Sequence, residues 1–259
     1  MGTLADDLEF VKGLAAEAAE VARGRALRVT PEEKANRSFV TDLDLALERM
    51  IRERLGARYP DDRLTGEEYQ ASGGGGRRRW SIDPIDGTGN LVHHLPLWAV
   101  SIGLIDDGEP VLGVIAVPPL GELYWAIKGG GAWRDGERIH ASDAEAFHPQ
   151  DNLCLGTNAM RAVDLRTVPG RLRDLGSACC ELVFTACGRV VASTYLGEQA
   201  HDVAAGSVIC AEAGCRFGTI DGRTLTAAEL VARTPVAVPT FVAPPGRLAT
   251  LMAGAKLRA

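Results

Sequence analysis

The sequence has 259 residues, 46% apolar and 24% charged, which is the balance of a globular protein with one large domain or two closely packed ones. Its net charge of −6 and scattered basic residues, with a single tight run at residues 77–79, give no support for nucleic-acid binding. No apolar run approaches a membrane span, and Asp6, Asp7 and Glu9 stand where a signal peptide carries positive charge, so we expect a cytoplasmic protein without membrane contact.

The first half of the chain is predicted to contain two helices followed by a run of strands. Apolar residues recur every three or four positions between Leu4 and Ala22, which indicates an amphipathic helix. A second helix is predicted over residues 43–57, and residues 72–76 are predicted to form a mobile glycine-rich loop. Short, hairpin-like connections between the strands indicate an antiparallel or mixed sheet. The predicted strands are residues 79–83, 99–105, 111–117 and 123–127.

The second half alternates helices and strands differently, which predicts a layered α/β fold. We expect one compact unit with two halves, residues 1–145 and 146–259, and a boundary near residues 140–152. The six cysteines include no CxxC pair, so reduced, buried thiols are expected rather than disulfides or a zinc site. The predicted elements are helices at residues 177–187 and 202–213, strands at 190–195 and 217–220, and a small helix after Pro245.

Acidic residues are concentrated in three segments where a solvated surface would not need them. These segments are residues 66–68 (GEE), residues 80–88 (WSIDPIDGT) and residues 201–206 (HDVAAG). Taken singly, each has a structural explanation: a solvated pair, an Asp-Pro turn and a helix N-cap. Their combination in one chain favours a shared site.

The second of these segments is the most informative. Asp83 ends a strand with apolar neighbours, Pro84 ends the hydrogen-bonded ladder, and Asp86 follows one turn later. Gly87 and Thr88 offer backbone N–H groups where a short helix begins, which is a seat for a phosphate. Carboxylates beside such a seat predict divalent cations between carboxylate and phosphate. Oxygen ligands with few nearby histidines favour Mg²⁺ or Mn²⁺ over zinc.

Further strings lie in the same order along the chain, over residues 34–214 in total. They are VTDLD at residues 40–44, PLWAVSIGL at 96–104 and EAG at 212–214. With these strings and the three acidic segments, the chain resembles the inositol monophosphatase family of magnesium-dependent, lithium-sensitive phosphatases. The resemblance implies an α-β-α-β-α sandwich, assembly as a homodimer, and a small-molecule phosphate ester as substrate.

The resemblance also implies a role for each matching residue. Glu67 would hold a metal-bound water, Thr88 would assist it, and Asp44 would orient Thr88. Hydrolysis would proceed by direct attack of this water, without a covalent enzyme intermediate. The metal ligands would be Glu67, Asp83, the carbonyl of Ile85, Asp86 and Asp202, for two or three Mg²⁺ ions with Mn²⁺ as a substitute. The expected substrate contacts are Asp86, Gly87, Thr88, Gly176, Ser177, Ala178, Tyr195, Glu198, His201 and Asp202.

Without metal, these carboxylates repel one another. We therefore expect weak substrate binding and raised carboxylate pKa values in the metal-free protein.

The departures from the family pattern fall on the leaving-group side. His201 stands where the family usually has tryptophan, and packing or substrate contact is favoured for it because oxygen ligands already suffice. Tyr195 stands where inositol-specific members carry a glutamate, for which Glu198 offers a substitute. These changes favour a specialised substrate such as an aminocyclitol phosphate over inositol phosphate.

Several alternatives to a cyclitol phosphatase remain open. Histidinol phosphate is a further candidate substrate within the family. A 3′-phosphoadenosine nucleotidase or a sugar bisphosphatase would need a basic cluster, for which Arg173 and Arg189 are the only obvious candidates. A catalytically silent member that binds metal or a partner protein is the non-enzymatic alternative. A glycosidase is disfavoured by the phosphate-binding turn at Gly87 and Thr88.

Overall fold

Two large β-sheets lie between layers of helices in the computed structural model, which describes residues 2–35, 38–142 and 144–258. The helices are α1 (Leu4–Arg25), α2 (Asp42–Arg58), α3 (Thr88–Val92), α4 (Thr157–Ala162), α5 (Ala178–Ala186), α6 (Ala200–Glu212), α7 (Ala227–Ala232) and α8 (Pro245–Gly254). The strands are β1 (Pro31–Glu33), β2 (Phe39–Thr41), β3 (Arg63–Gly66), β4 (Ser72–Gly73), β5 (Arg78–Asp86), β6 (Ala99–Asp106), β7 (Glu109–Val117), β8 (Glu122–Ile127), β9 (Ala132–Arg134), β10 (Glu137–Ile139), β11 (Asn152–Leu155), β12 (Arg171–Arg173), β13 (Ala192–Tyr195), β14 (Arg216–Thr219), β15 (Thr224–Leu225) and β16 (Thr240–Ala243).

The first large sheet has the strand order β10-β9-β8-β7-β6-β5-β3-β4. Its neighbouring strands are antiparallel except β3 and β5, which run parallel, so the prediction of an antiparallel or mixed sheet is confirmed. In the parallel pair Gly66 lies opposite Ile82, and Glu67 therefore leaves its strand beside Asp83. The second sheet has the order β12-β11-β13-β16-β14-β15, and a separate hairpin joins β1 to β2.

Three apolar cores hold the layers together. The first joins α1 and α2 to the outer face of the first sheet, the second surrounds α5 and α6 between the sheets, and the third covers the outer face of the second sheet with α4 and α8. In the described part of the chain the layers therefore run α-β-α-β-α, as the family resemblance implied. None of the described helices has both the length and the apolar content needed to cross a membrane.

Helix α6 lies directly on the first sheet because the sheet is glycine-lined beneath it. An ideal Cβ at Gly113 would lie 2.2 Å from the carbonyl oxygen of Ala205, and one at Gly103 would lie 2.9 Å from the nitrogen of the same residue. At these two positions the backbone of the helix packs directly against the backbone of the sheet, with no side chain between them.

The long elements agree with their sequence predictions, and the short ones differ. Residues 72–73 form strand β4, paired with β3, where a loop was predicted. The glycines there permit a close approach, since an ideal Cβ at Gly74 would lie 2.1 Å from the carbonyl oxygen of Asp61. Several strands of the second sheet have only three or four residues, too few to show a period of two. All six cysteines are described and free, as predicted.

Candidate functional site

The end of strand β5 carries two buried carboxylates on one side of the sheet. Asp83 lies opposite Ser101 and Asp86 lies opposite Ala99, and the register shifts between these pairs. Residues three apart on a regular strand point to opposite faces, whereas the bulge turns both carboxylates toward the same site. Asp83 is 1% exposed and Asp86 is 8% exposed.

Asp202 comes to this site from the first turn of α6. Its carboxylate caps that helix by accepting the N–H of Gln199. Asp86 is held by helix α5, where its Oδ2 accepts the N–H of Cys179 at 2.7 Å and the hydroxyl of Ser177. Carboxylates from the first sheet and from the helix layer thus meet at one point.

Glu67 and Glu68 follow β3 and are paired with a lysine. Lys34 Nζ lies 2.8 Å from Glu67 Oε1 and 2.7 Å from Glu68 Oε1. Burial raises the pKa of Glu68 to about 7 against the opposing effect of Lys34. The lysine thus offsets part of the negative charge of the first acidic segment.

Buried Glu48 of helix α2 supports this acidic turn. It accepts the N–H of Glu68 at 2.7 Å and the Nε of Arg52 at 2.7 Å. An ideal Cβ at Gly66 would lie 2.2 Å from Glu48 Oε1, so a larger residue there would displace the carboxylate over which the turn passes. Glu48 thereby fixes the backbone on which Glu67 is carried.

Glu48→Ala is expected to lower the free energy of unfolding by ~3–5 kcal/mol, because it leaves the Arg52 guanidinium without its carboxylate and the part-buried N–H of Glu68 without its acceptor. Urea denaturation of the metal-free protein measures this loss. Glu53→Ala, an exposed site on the same helix, is the control and should change stability by less than ~0.5 kcal/mol. Equal losses in the two variants would contradict the supporting role of Glu48.

Thr88 and Asp44 form a hydrogen-bonded relay beside the carboxylates. Thr41 donates its N–H at 2.9 Å and its hydroxyl to Asp44 Oδ2, which leaves Asp44 Oδ1 for Thr88 Oγ1 at 3.1 Å. Thr88 Oγ1 also lies 3.0 Å from the carbonyl oxygen of Ile85. Asp44 is part of a capping box at the start of α2, so the same bonds that begin this helix hold the relay.

A polar cavity of about 230 Å³ opens beside Asp86 and Asp202. Its walls come from the loop before α4, the loop before α5, and the segment before α6. Asn90 holds the second of these loops in place, because its Nδ2 donates to the carbonyl oxygens of Leu97 and Leu175 at 2.6 and 2.7 Å. The described residues around the cavity are Asp86, Gly156, Thr157, Asp174, Gly176, Ser177, Ala178, Glu181, Glu198 and Asp202, with no lysine, arginine or histidine among them.

Ionisation of the carboxyl groups in the site is unfavourable, because they are buried and close to one another. Burial and the charge of Glu67 raise the pKa of Asp83, and burial raises that of Asp202. Burial and the neighbouring Asp202 raise the pKa of Asp86 to about 7. On the cavity side, burial raises the pKa of Glu181 to about 8 and that of Glu198 to about 7.

These carboxylates fit divalent cations. Within the described residues, ligand atoms lie within 4.8 Å of one another in two groups, Asp83-Asp86-Asp202 and Glu67-Asp83-His201. Asp83 Oδ1 is buried and accepts no hydrogen bond from any described residue. A buried carboxylate oxygen without a donor is costly unless a cation satisfies it. The donor set, mostly hard oxygen, suits Mg²⁺ or Mn²⁺.

The structure brings most of the predicted site residues together. The five expected metal ligands, the relay of Thr88 and Asp44, and the cavity residues Gly176, Ser177, Ala178 and Glu198 all lie around one centre. Gly87 is the N-cap residue of α3 and has a left-handed φ of +90°.

Tyr195 does not fit the expected substrate contact. Its side chain is fully buried in the core between the two sheets, and it does not line the cavity. His201 also lies outside the cavity wall, since its ring faces Glu67 and Asp83.

Lys34, Asp174 and Glu181 were missed by the sequence reasoning. Glu181 did carry a signal, as a lone acidic residue within the apolar helix α5. Lys34 and Asp174 lie in loops and gave none.

A sequence model of the inositol monophosphatase family matches residues 4–253, and the chain belongs to that family. It is therefore a phosphatase, a phosphoric monoester hydrolase. It is 31% identical over 220 residues to the fructose-1,6-bisphosphatase/inositol-1-monophosphatase of Aquifex aeolicus. That alignment covers 81% of this chain and 82% of the relative. It is 33% identical over 231 residues to the histidinol-phosphatase of Mycobacterium tuberculosis, covering 84% of this chain and 88% of that one.

The fold agrees with solved structures of the same family. The IMPase of Thermotoga maritima superposes with a TM-score of 0.84 at 28% identity, and the match covers 96% of each chain. This similarity confirms the layered α/β class predicted from the sequence.

Proposed function

We propose that this phosphatase hydrolyses the monophosphate of a small cyclitol or polyol, and that the favoured leaving alcohol carries an ammonium group, as an aminocyclitol does. The observation that carries the proposal is the ring of carboxylates around the cavity beside Asp86 and Asp202. The cavity is smaller than the ~300–1,000 Å³ of most drug-sized ligand sites, which suits a single small alcohol.

The charge of the cavity favours a cationic leaving group. Glu198 Oε2 is buried and accepts no hydrogen bond from a described residue, and Glu181 is 2% exposed on the cavity wall. Ionised carboxylates in such surroundings are stabilised by a nearby positive charge. A second phosphate group would be repelled there. Arg189 pairs with Glu122 outside the cavity and Arg173 is exposed, which weighs against a bisphosphatase or a 3′-nucleotidase.

One side of the site consists of the residues that would hold the metal ions. Asp83, Asp86, Asp202, Glu67 and the carbonyl of Ile85 would hold Mg²⁺, or Mn²⁺ in its place. Such ions, when bound, neutralise phosphoryl oxygens and lower the pKa of water at the site.

With the Ile85 carbonyl committed in this way, the Thr88 hydroxyl donates to Asp44 and keeps a lone pair to orient the attacking water. The amides of Gly87 and Thr88 would hold the phosphate. The water oxygen bonds to phosphorus as the bond from phosphorus to the alcohol oxygen breaks. Glu67 would accept the proton of the water and pass it to solvent, and the leaving alkoxide would take a proton from solvent.

Histidinol phosphate is the second candidate, since its leaving alcohol also carries an ammonium group. The relative of Mycobacterium tuberculosis named histidinol-phosphatase favours this candidate.

A substrate panel tests the proposal. Phosphate release is measured with Mg²⁺ and with EDTA on inositol 1-phosphate, aminocyclitol phosphates, histidinol phosphate, fructose bisphosphate and a phosphoadenosine phosphate. We expect Mg²⁺-dependent release, with the highest kcat/KM for an amine-bearing monophosphate. The highest kcat/KM on a bisphosphate would contradict the proposal.

Glu198→Gln is expected to lower kcat/KM for the amine-bearing substrate by about 10–100-fold, because a charged hydrogen bond is worth ~1.5–3 kcal/mol. The same variant should change kcat/KM for inositol 1-phosphate by less than about fivefold, since a neutral hydroxyl gains less from the charge. Glu137→Gln, at an exposed position that does not line the cavity, is the control. Equal losses on both substrates would contradict a role for Glu198 in recognising the ammonium group.

A further inference from the structure

His201 lies against the carboxylates that would hold the cations. A ring nitrogen of His201 and carboxylate oxygens of Glu67 and Asp83 all lie within 4.8 Å of one another. Its Nε2 lies 3.5 Å from Asp202 Oδ1, and its side chain is 18% exposed. The ring is therefore held at the junction between the two groups of ligand atoms.

The second observation concerns the residue that the two groups share. Asp83 is buried, and its Oδ1 has no hydrogen-bond donor among the described residues. The ligand atoms of Glu67, Asp83 and His201 lie within 4.8 Å of one another. Ligands at ~2.1 Å on opposite sides of an ion lie ~4.2 Å apart, so side-chain shifts of about half an ångström bring all three atoms onto one ion. An imidazole nitrogen and two carboxylates then face a single point.

We propose that His201 donates a ring nitrogen to the cation held by Glu67 and Asp83, so that this position takes Mn²⁺ in preference to Mg²⁺. The proposal rests on the metal-dependent function proposed above and adds a ligand that sequence reasoning placed in packing or substrate contact. At the other position, formed by Asp83, Asp86 and Asp202, the described side chains supply carboxylate oxygens alone, so we expect no such preference there.

The preference follows from ligand chemistry. Mg²⁺ selects oxygen ligands and gives up water reluctantly, whereas imidazole favours first-row transition ions. Mn²⁺ accepts both carboxylate and imidazole, and it binds a given mixed site more weakly than later transition ions. It is also paramagnetic, so the nitrogen can be detected directly.

The test uses the full chain, freed of metal with EDTA. Mn²⁺ and Mg²⁺ are titrated separately by calorimetry, and the Mn²⁺-loaded protein is examined by pulsed electron paramagnetic resonance for coupling to ¹⁴N. The variants are His201→Gln, which keeps a polar side chain of similar reach, and His140→Gln at an exposed position as control. Circular dichroism and thermal unfolding without metal establish that each variant is folded.

We expect directly coordinated ¹⁴N in the wild-type protein and in His140→Gln, and its loss in His201→Gln. One Mn²⁺ should bind about 10–100-fold more weakly to His201→Gln, while Mg²⁺ affinity changes by less than about threefold. Mn²⁺ binding without ¹⁴N coupling in the wild-type protein, or coupling that persists in folded His201→Gln, would overturn this inference alone. Binding of neither ion to the wild-type protein would overturn it together with the proposed metal-dependent function.

Discussion

Asp83→Asn is expected to lower kcat for phosphate release by about 10³-fold or more at saturating Mg²⁺. Asp83 belongs to both groups of ligand atoms, so its loss weakens both cation positions at once. Cations stabilise the transition state of such a reaction by several kcal/mol, and each 1.36 kcal/mol is about tenfold in rate. Phosphate release from the best substrate of the panel measures the change, and Mg²⁺ calorimetry should show weaker binding.

The matched control is Asp107→Asn, which makes the same chemical change in the exposed turn after β6. Asp107 has a positive φ of 53°, a conformation that asparagine tolerates. The activity of the Asp107→Asn variant should equal that of the wild-type protein. The metal-free Asp83→Asn protein should be at least as stable as the wild type, because it lacks one repelled carboxylate. Full activity in a folded Asp83→Asn protein would overturn the metal-dependent mechanism.

The metal-free protein is expected to lose stability as the pH rises from about 5 to about 8. The pKa of Asp86 and Glu198 is raised to about 7 and that of Glu181 to about 8, mainly by burial, against ~4 in the unfolded chain. In this window the folded state binds more protons than the unfolded state, so the free energy of unfolding falls with rising pH. Each such proton contributes ~1.4 kcal/mol per pH unit.

Urea denaturation in EDTA at intervals from pH 5 to pH 9 measures this slope. Saturating Mg²⁺ should flatten or reverse it, because the ion binds the ionised carboxylates and stabilises the folded state by mass action. Glu181→Gln removes one of the titrating groups, keeps an acceptor for the N–H of Leu175, and should reduce the slope. A metal-free stability that rises between pH 5 and pH 8 would show that these carboxylates are ionised at little cost.

The site was predictable from the sequence wherever its residues are close along the chain. Asp83, Asp86 and the turn at Gly87 and Thr88 lie within one strand, its bulge and the next helix, so local geometry brings them together. Asp202 depends on contact between layers, so no local geometry predicted its place, and it was linked to the other segments by their combination in one chain and by the family resemblance.

The leaving-group side was predictable only in part. Glu198 lies on the cavity wall. Tyr195, three residues earlier, is the last residue of β13, and its side chain is buried between the sheets. The pairing of Lys34 with Glu67 and the place of Glu181 on the cavity wall depend on contacts between distant segments. Neither hydropathy nor spacing encodes such contacts.

The glycine-lined contact between α6 and the first sheet has a consequence for how this scaffold can change. Backbone atoms have no rotamers, so this contact holds α6 at a fixed distance from the first sheet. The distance from Asp202 to the carboxylates of β5 is thereby fixed as well. Much of the cavity wall is made of loops and of the side chains of Thr157, Asp174 and Glu198. These side chains can be substituted without changing the contact between α6 and the sheet. Under the proposed function, the carboxylates of β5 and α6 perform the chemistry and these exchangeable side chains select the alcohol. We therefore expect substitutions on the cavity wall to change specificity without changing the metal ligands.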